Sequence, residues 1–445
     1  MASTQILSSK SSTTSGDNPT STNSLHATFF DKTPERAAAR AIYLKNFLGG
    51  TVLTIVLIFS VFVIFWNAFA NSPAHNLPGW IVDFDGSLLG QEIIQGLKFQ
   101  PSFSKITWTV VSATQFPSGI EDLGHAVMEE HTWVAVAINK GSTARLSASL
   151  TSPNASYNGA DAITVFVVEA RNEMAFTGLI IPSVLPALDA ITKSIALQNG
   201  QRLSNSSLLS SILSISPQTI VQPVSYTLAN LAPFNVPLAS AVTYIGLIYQ
   251  IIISFFMVVV GFNARMASGL EKSLSTSSLI AVRFVSVFGS FFAVSLFYSL
   301  LSVAFQLELT NRFGHAGFII FWMLNFCGML AVGLALESVI PLLTTKFIPF
   351  FLLTWIIINI SVCVFPIEVM PNFYRYGYAV PFYSISRAMR TIIFGTKNAV
   401  GLSFGIILAW TAISCITLPL IQWYVRRRSH RSQAGLENQV LPTET

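Results

Sequence analysis

The chain has 445 residues, 52% hydrophobic and only 10% charged. Soluble globular domains are about 25% charged, so much of this surface must face lipid. The net charge of +5 then reads as Lys and Arg in cytoplasmic loops, not as nucleic-acid binding.

Residues 1–27 are rich in Ser and Thr and poor in large apolar side chains. Such a segment cannot offset its ordering entropy, which predicts a disordered cytoplasmic tail over 1–45. It is too long and polar for a signal-peptide n-region, so the first apolar run is expected to be an uncleaved anchor. Six runs reach the roughly 20 apolar residues a span needs: 46–70, 240–262, 278–305, 317–338, 347–366 and 402–424. None has a charge at its centre. The expected fold class is therefore a polytopic α-helical membrane protein of six spans, with one α/β extracytoplasmic domain at 71–239 between the first two. The domain at 240–424 holds the other five spans, and 425–445 is a basic cytoplasmic tail.

Orientation follows from flanking cations. Lys32, Arg36, Arg40 and Lys45 precede the first span, and Arg426, Arg427, Arg428 and Arg431 follow the last. Both termini are thus expected in the cytoplasm. The 367–401 segment disagrees, being basic yet assigned outside. Pro381 opens an amphipathic helix there, with Phe382, Ile385, Met389 and Ile392 on one face and Arg387 and Arg390 on the other. A helix lying at the membrane interface and an ordinary packed external helix fit this pattern equally.

Within 71–239, strand-like runs fall at 79–84, 106–112, 132–138, 143–150 and 162–169. Leu89, Ile93, Ile94 and Leu97, and Ile120, Leu123 and Val127, repeat at helical spacing. A longer helix starts near Arg171 and is expected to break at Pro182 and Pro186. Residues 217–239 read as extended. Sequons at Asn154 and Asn205 suit glycosylation in a secretory compartment. Cys327, Cys363 and Cys415 all lie in apolar runs outside this domain, so no disulfide staples it and no metal spacing exists.

Chemistry-bearing patterns are few. Asp83-Phe84-Asp85-Gly86-Ser87 ends a hydrophobic strand and resembles the first motif of haloacid-dehalogenase-type phosphatases. The later acids of that site do not follow, so a turn in which Asp85 or Ser87 caps the next helix is the simpler expectation. Gly401-Leu402-Ser403-Phe404-Gly405 matches a hydrolase pattern but opens a membrane helix. Gly401 and Gly405 read instead as helix-packing residues, with Ala331 and Ala335 able to serve likewise. His125 and His131 flank Glu129 and Glu130 as a solvated helix end. No P-loop pattern occurs. The span centres hold only neutral polar groups, Gln250, Asn325 and Asn359, which read as interhelical glue and disfavour an ion-coupled carrier.

One span, a large external domain and five spans resemble a branch of the ABC-2-type permease superfamily that includes the phage-infection proteins. Within it the chain is most similar to the fungal nitrosoguanidine-resistance membrane proteins. The local carriers are Val82–Gly86, Glu169-Ala170-Arg171-Asn172-Glu173, and Met370-Pro371-Asn372-Phe373-Tyr374-Arg375 followed by Pro381. The resemblance implies a plasma-membrane protein contributing to resistance to, or export of, toxic small molecules. It marks Asp83, Asp85, Arg171, Pro371, Arg375 and Pro381 for structural or recognition roles. The partners implied are membrane lipids, toxic small molecules, and a second copy or a separate ATPase; nucleic acid is not among them. No catalytic residue, cofactor or metal is expected, and the chain is not expected to be an enzyme. A non-transporting organiser of lipids or partners is the alternative, and an external phosphatase on Asp83 and Asp85 the second.

Overall fold

The computed structural model describes residues 28–99 and 104–440, with side chains up to position 431. The chain divides after Leu57 into two compact units. In the first, Pro34–Leu57 is helical, so the tail expected to be disordered through 45 is ordered from Pro34 onward. Pro34 sits at the first helical position with Glu35 in the first turn, and Ala37 N–H donates to Thr33 O at 3.0 Å. These are favourable helix-start residues. The expectation for 1–27 lies outside the described residues.

The second unit contains a five-stranded sheet: β1 Leu77–Asp83, β2 Ile106–Val111, β3 Val134–Ile138, β4 Ile163–Val167 and β5 Tyr226–Asn230. Its order is β2-β1-β3-β4-β5, with β1 parallel to β2 and β3, β4 antiparallel to β3, and β5 parallel to β4. Period-two alternation sorts the side chains into two cores. Leu77, Ile81, Val134, Val136, Ile138, Ile163 and Val165 enter one, while Val82, Ala135, Ala137 and Phe166 enter the other. All five residues of β3 are buried, as a central strand covered on both faces requires.

The Leu88–Lys98 and Ile120–Met128 helices form where the spacing predicts them. Residues 143–150 do not form a strand; they lie in the Ser142–Thr151 helix. Leu146 and Ser149 are buried there with Ser142, a helical spacing that the alternating Thr-Ala-Arg-Leu pattern obscures. The stretch 217–239 is not simply extended either, since it holds the Gln218–Val221 helix and β5.

Among the described residues, six helices are long and apolar enough to cross a membrane: Pro34–Ala70, Glu173–Leu203, Leu238–Ala267, Thr276–Ala304, Gly314–Ile360 and Val400–Arg431. The protein is a multi-pass membrane protein, but these are not the six runs read from sequence. Glu173–Leu203 runs through Pro182 and Pro186 unbroken and qualifies by composition. Yet Leu179, Ile180, Val184, Ala187, Leu188 and Ile195 join the sheet's core. Each of the Leu, Ile and Val side chains contributes roughly 1.5–3 kcal/mol by burial, and removing the helix to lipid would strip that sheet face. Gly314–Ile360 covers two predicted runs. At about 1.5 Å per residue it is too long for one straight crossing of a core about 30 Å thick. Thr344, at φ 61 and ψ 169, divides it into two helices. The last helix continues past 424 to Val440, so much of the expected basic tail is helical.

The bundle closes around small and polar residues. A Cβ at Gly333 would lie 2.4 Å from the Phe291 ring, and one at Gly328 would lie 2.9 Å from Ile385. Those positions make the close approaches. At Gly401 and Gly405 a Cβ would meet nothing within 4 Å, so the expected packing role is not exercised within this chain. Gln250 Nε2 donates to Asn325 O at 2.9 Å, and Asn325 Nδ2 to Ser299 Oγ at 3.0 Å. This polar stitch joins three helices, as the glue reading expects.

Candidate functional site

The Asp-x-Asp-Gly turn follows β1. Asp83 Oδ1 accepts from the N–H groups of Asp85 and Gly86, both at 2.9 Å, and Gly86 has φ +64, which glycine adopts without strain. Asp85 Oδ2 accepts from Ser87 Oγ, from Thr143 Oγ, and from Thr143 N–H at 3.2 Å. Burial raises the Asp85 pKa, but these hydrogen bonds outweigh it and hold the carboxyl below the usual value. Neither Asp85 nor Ser87 caps the helix that follows; Ser87 stands at its N-cap, but its side chain makes no capping bond to that helix. Asp85 instead braces the first turn of the Ser142–Thr151 helix, where negative charge is favourable. Both carboxylates are engaged locally, and no group of three or more His, Cys, Asp or Glu that could hold a metal occurs among the described residues.

The densest polar constellation lies elsewhere, at the junction of the sheet domain and the bundle. Pro381–Phe394 is a helix with Pro381 at its first turn, as expected. The helix is packed within the chain. Phe382, Ile385, Met389 and Ile392 are buried against the bundle, and Arg390 is only 6% exposed. Its cationic face meets the sheet domain. Arg390 Nη1 lies 2.6 Å from Glu173 Oε2 and donates to Ala170 O at 3.0 Å. The Glu173 contact is short but not aligned as a hydrogen bond, since Oε2 has no such partner. Arg387 Nη2 donates to Glu130 Oε2 at 2.6 Å, and Lys397 Nζ to Glu129 O at 2.8 Å. His125 and His131 are exposed, as a solvated helix end requires, but the glutamates between them are not free. Both dock on the bundle.

Segment 169–173 is wired at every position. Glu169 Oε2 accepts from Asn230 Nδ2 at 2.7 Å and from Phe234 N–H at 3.1 Å. Ala170 O serves Arg390. Arg171 stacks 3.5 Å from the Trp133 ring centroid, donates to Thr132 O at 3.1 Å, and faces Glu368 at 3.6 Å. Burial lowers the Arg171 pKa, while Glu130 and Glu368 oppose that shift. Asn172 Oδ1 caps Ala175 N–H at 2.8 Å, and Asn172 Nδ2 reaches Val364 O at 3.3 Å. From the bundle side, Val369 enters the sheet core, and its carbonyl accepts from Ala74 N–H at 2.7 Å. Between these groups lies a cavity of about 110 Å³, lined by Arg171, Arg387, Arg390, Glu130, Glu368 and Tyr383 among others. That is room for a few waters or one small polar molecule. Burial, reinforced by Glu368, keeps the Tyr383 hydroxyl protonated far above neutral pH.

Among the remaining residues singled out by sequence, Pro371 precedes the Asn372–Ala379 turn and Arg375 lines a second recess of about 380 Å³ with His75 and Tyr378. Asn154 and Asn205 are exposed, and Asn154 Oδ1 accepts from Ser156 N–H at 2.9 Å. The structure brings Arg171 and Pro381 to the junction but leaves Asp83 and Asp85 apart from it. Glu130, Glu173, Glu368, Arg387, Arg390 and Lys397 complete the junction. For Arg387, Arg390 and Lys397 the signal was the basic excess of 367–401; the glutamates carried none.

A second ionic site was not legible as such. Arg283 Nε and Arg265 Nη2 both donate to Glu337 Oε1, at 2.6 and 2.8 Å, and Arg283 also reaches Gln422 Oε1 and Glu337 O. Arg283 and Glu337 are fully buried. Glu271 Oε2 stands 3.4 Å from Arg265 Nε. Ionisable residues in spans carry a functional presumption by default, and that presumption was the available signal.

Residues 51–416 match the family described as "Protein of unknown function (DUF3533)". An uncharacterized endoplasmic reticulum membrane protein of Saccharomyces cerevisiae is 25% identical over 432 residues, covering 89% of this chain and 83% of that protein. No solved structure matches.

Proposed function

This chain belongs to the DUF3533 family, and from that premise we propose that it is a permease-like membrane protein that lowers cell exposure to toxic small molecules. The α/β domain recognises, and the charged junction passes its state to the spans. The observation that carries this reading is the junction itself. Two arginine–glutamate contacts, Arg387–Glu130 and Arg390–Glu173, join the sheet domain to a helix packed on the bundle, and a third, Arg171–Glu368, joins it to the Ile367–Val369 turn before that helix. The protein acts without chemistry of its own, which the local engagement of Asp83 and Asp85 supports. Drive comes from a partner ATPase or a second copy.

The yeast relative, described as an endoplasmic reticulum protein, supports residence in that membrane over the plasma membrane. The α/β domain then faces the lumen, with both termini cytoplasmic. Glycosidase treatment tests this orientation: N154Q and N205Q each remove one glycan step from the gel mobility, and an unglycosylated wild type would overturn it.

Deleting the gene and measuring accumulation of labelled toxins tests the function. Accumulation and sensitivity both rise under the proposal; both unchanged would sink it. A second reading, a non-transporting organiser of lipids or partners, is favoured by the tight engagement of the junction. Purified protein in liposomes separates the two, since flux supports the first and a captured partner without flux the second.

A further inference from the structure

The chain leaves β1 for β2 on one side and returns through the Ile120–Met128 helix to β3 on the other. In open α/β sheets, connections that diverge in this way leave a crevice beyond the C-terminal ends of the two adjacent strands, where ligands bind. Here that place holds a crevice of about 770 Å³, within the roughly 300–1,000 Å³ of small-molecule sites.

Its two walls differ. Phe84, directly after β1, Phe116 and Ile120 form the apolar wall. The Phe84 and Phe116 rings pack edge to face at 6.3 Å, and Phe116 lies 6.2 Å from the Trp80 ring, so the wall is braced from behind. The opposite wall is the loop after β3, with Asn139 and Lys140, and Arg145 from the first turn of the Ser142–Thr151 helix. Arg145 donates to Lys140 O at 2.9 Å, Ser142 Oγ at 3.1 Å and Asp161 O at 3.1 Å. None of these is a carboxylate, so its position is held while its charge is not neutralised by them. Asp161 is the acid on this rim, and its Oδ1 accepts from Asn158 Nδ2 at 3.0 Å. Asp85 nearby is turned to Ser87 and Thr143. Asn139 uses its Nδ2 for Asp161 O and Thr164 Oγ, while its buried Oδ1 has no partner.

We propose that this crevice binds a small molecule with an apolar body and one anionic group, the body against Phe84 and Phe116 and the anion between Lys140 and Arg145. This rests on the reading of the α/β domain as a recognition module and gives that module its ligand class. Ile120, on the crevice wall, begins the helix whose far end leads to Glu129 and Glu130 of the junction. A helix of that length spans about 13 Å, so crevice and junction share one rigid element.

The test is calorimetric titration of the full chain in zwitterionic nanodiscs with 2-naphthylacetate and with its neutral amide. The acid binds, and the amide binds about tenfold more weakly, as expected when a charge-assisted contact is lost. K140Q and R145Q each weaken the acid several-fold and leave the amide unchanged. Arg145 also braces its loop, so the exposed Lys140 is the variant free of folding effects. Laurate in a parallel titration tells an acyl body from an aromatic one, and binding of either supports the class. No binding of any acid at millimolar concentration, equal binding of acid and amide, or an unchanged K140Q overturns the proposal. Toxin accumulation that depends on the gene, without binding here, removes the crevice and spares the recognition reading; binding without an accumulation effect does the reverse.

Discussion

The two ionic sites of this protein solve opposite problems with the same residues. At the junction each arginine has its own glutamate, the groups border a polar cavity, and Glu368 keeps 38% of its side chain exposed. In the bundle two arginines share one oxygen of Glu337, at 1% exposure or less for Glu337 and Arg283, and the other Glu337 oxygen has no partner. Charges that stay near water lose little when separated and recombined. Charges without water must remain paired, because the desolvation cost of a lone buried ion is several kcal/mol. The junction, where one partner of each pair keeps 24–38% of its side chain exposed, is thus the looser joint, and the bundle cluster the dry clamp.

The clamp gives the largest expected effect. E337Q leaves Arg265 and Arg283 without their shared charge and is expected to cost about 3–5 kcal/mol. Thermal unfolding of the solubilised protein measures it, and a change under 1 kcal/mol would show that the cluster is solvated. R390A should come next. It removes the contacts to Glu173 and Ala170 O and the guanidinium 5.7 Å from the Phe234 ring, a loss of about 2 kcal/mol. Hydrogen exchange should speed at both 169–173 and 381–394 while the Arg283 region stays protected; uniform loosening would mean that the two regions are not separate.

A double-mutant cycle on Glu130 and Arg387, whose side chains are 14% and 27% exposed, should give a coupling of about 1 kcal/mol that shrinks with added salt, as a pair still reached by water requires. Coupling that ignores salt would make the joint a second clamp. The smallest effect is at Asp85. Its folded pKa is held below the usual carboxylate value of 3.8, so its stabilisation is present above that value and is lost as pH falls through the lower folded one. Thermal midpoints of the wild type between pH 5 and 2 should fall more steeply than those of D85N. Parallel curves would show that the brace on Thr143 carries no weight.

Much was determined by sequence alone. Continuous apolar runs fix membrane residence, because backbone polar groups in lipid must be satisfied within a helix. Short apolar, β-branched runs placed β1–β4, and Pro381 placed the start of its helix, because each rests on local geometry. Where two local patterns competed, sequence misread them. The 143–150 alternation hid a helix, and the break expected at Pro182 and Pro186 does not occur in the helix that packs on the sheet. Only the tertiary structure could make these decisions, since a hydrophobic face specifies burial but not the partner. Nor could sequence pair Glu130 with Arg387, 257 residues away, or bring Arg265, Arg283 and Glu337 to one oxygen. Spacing along the chain carries no distance between helices, so charges that looked like scattered ends of spans became a joint and a clamp once the helices packed.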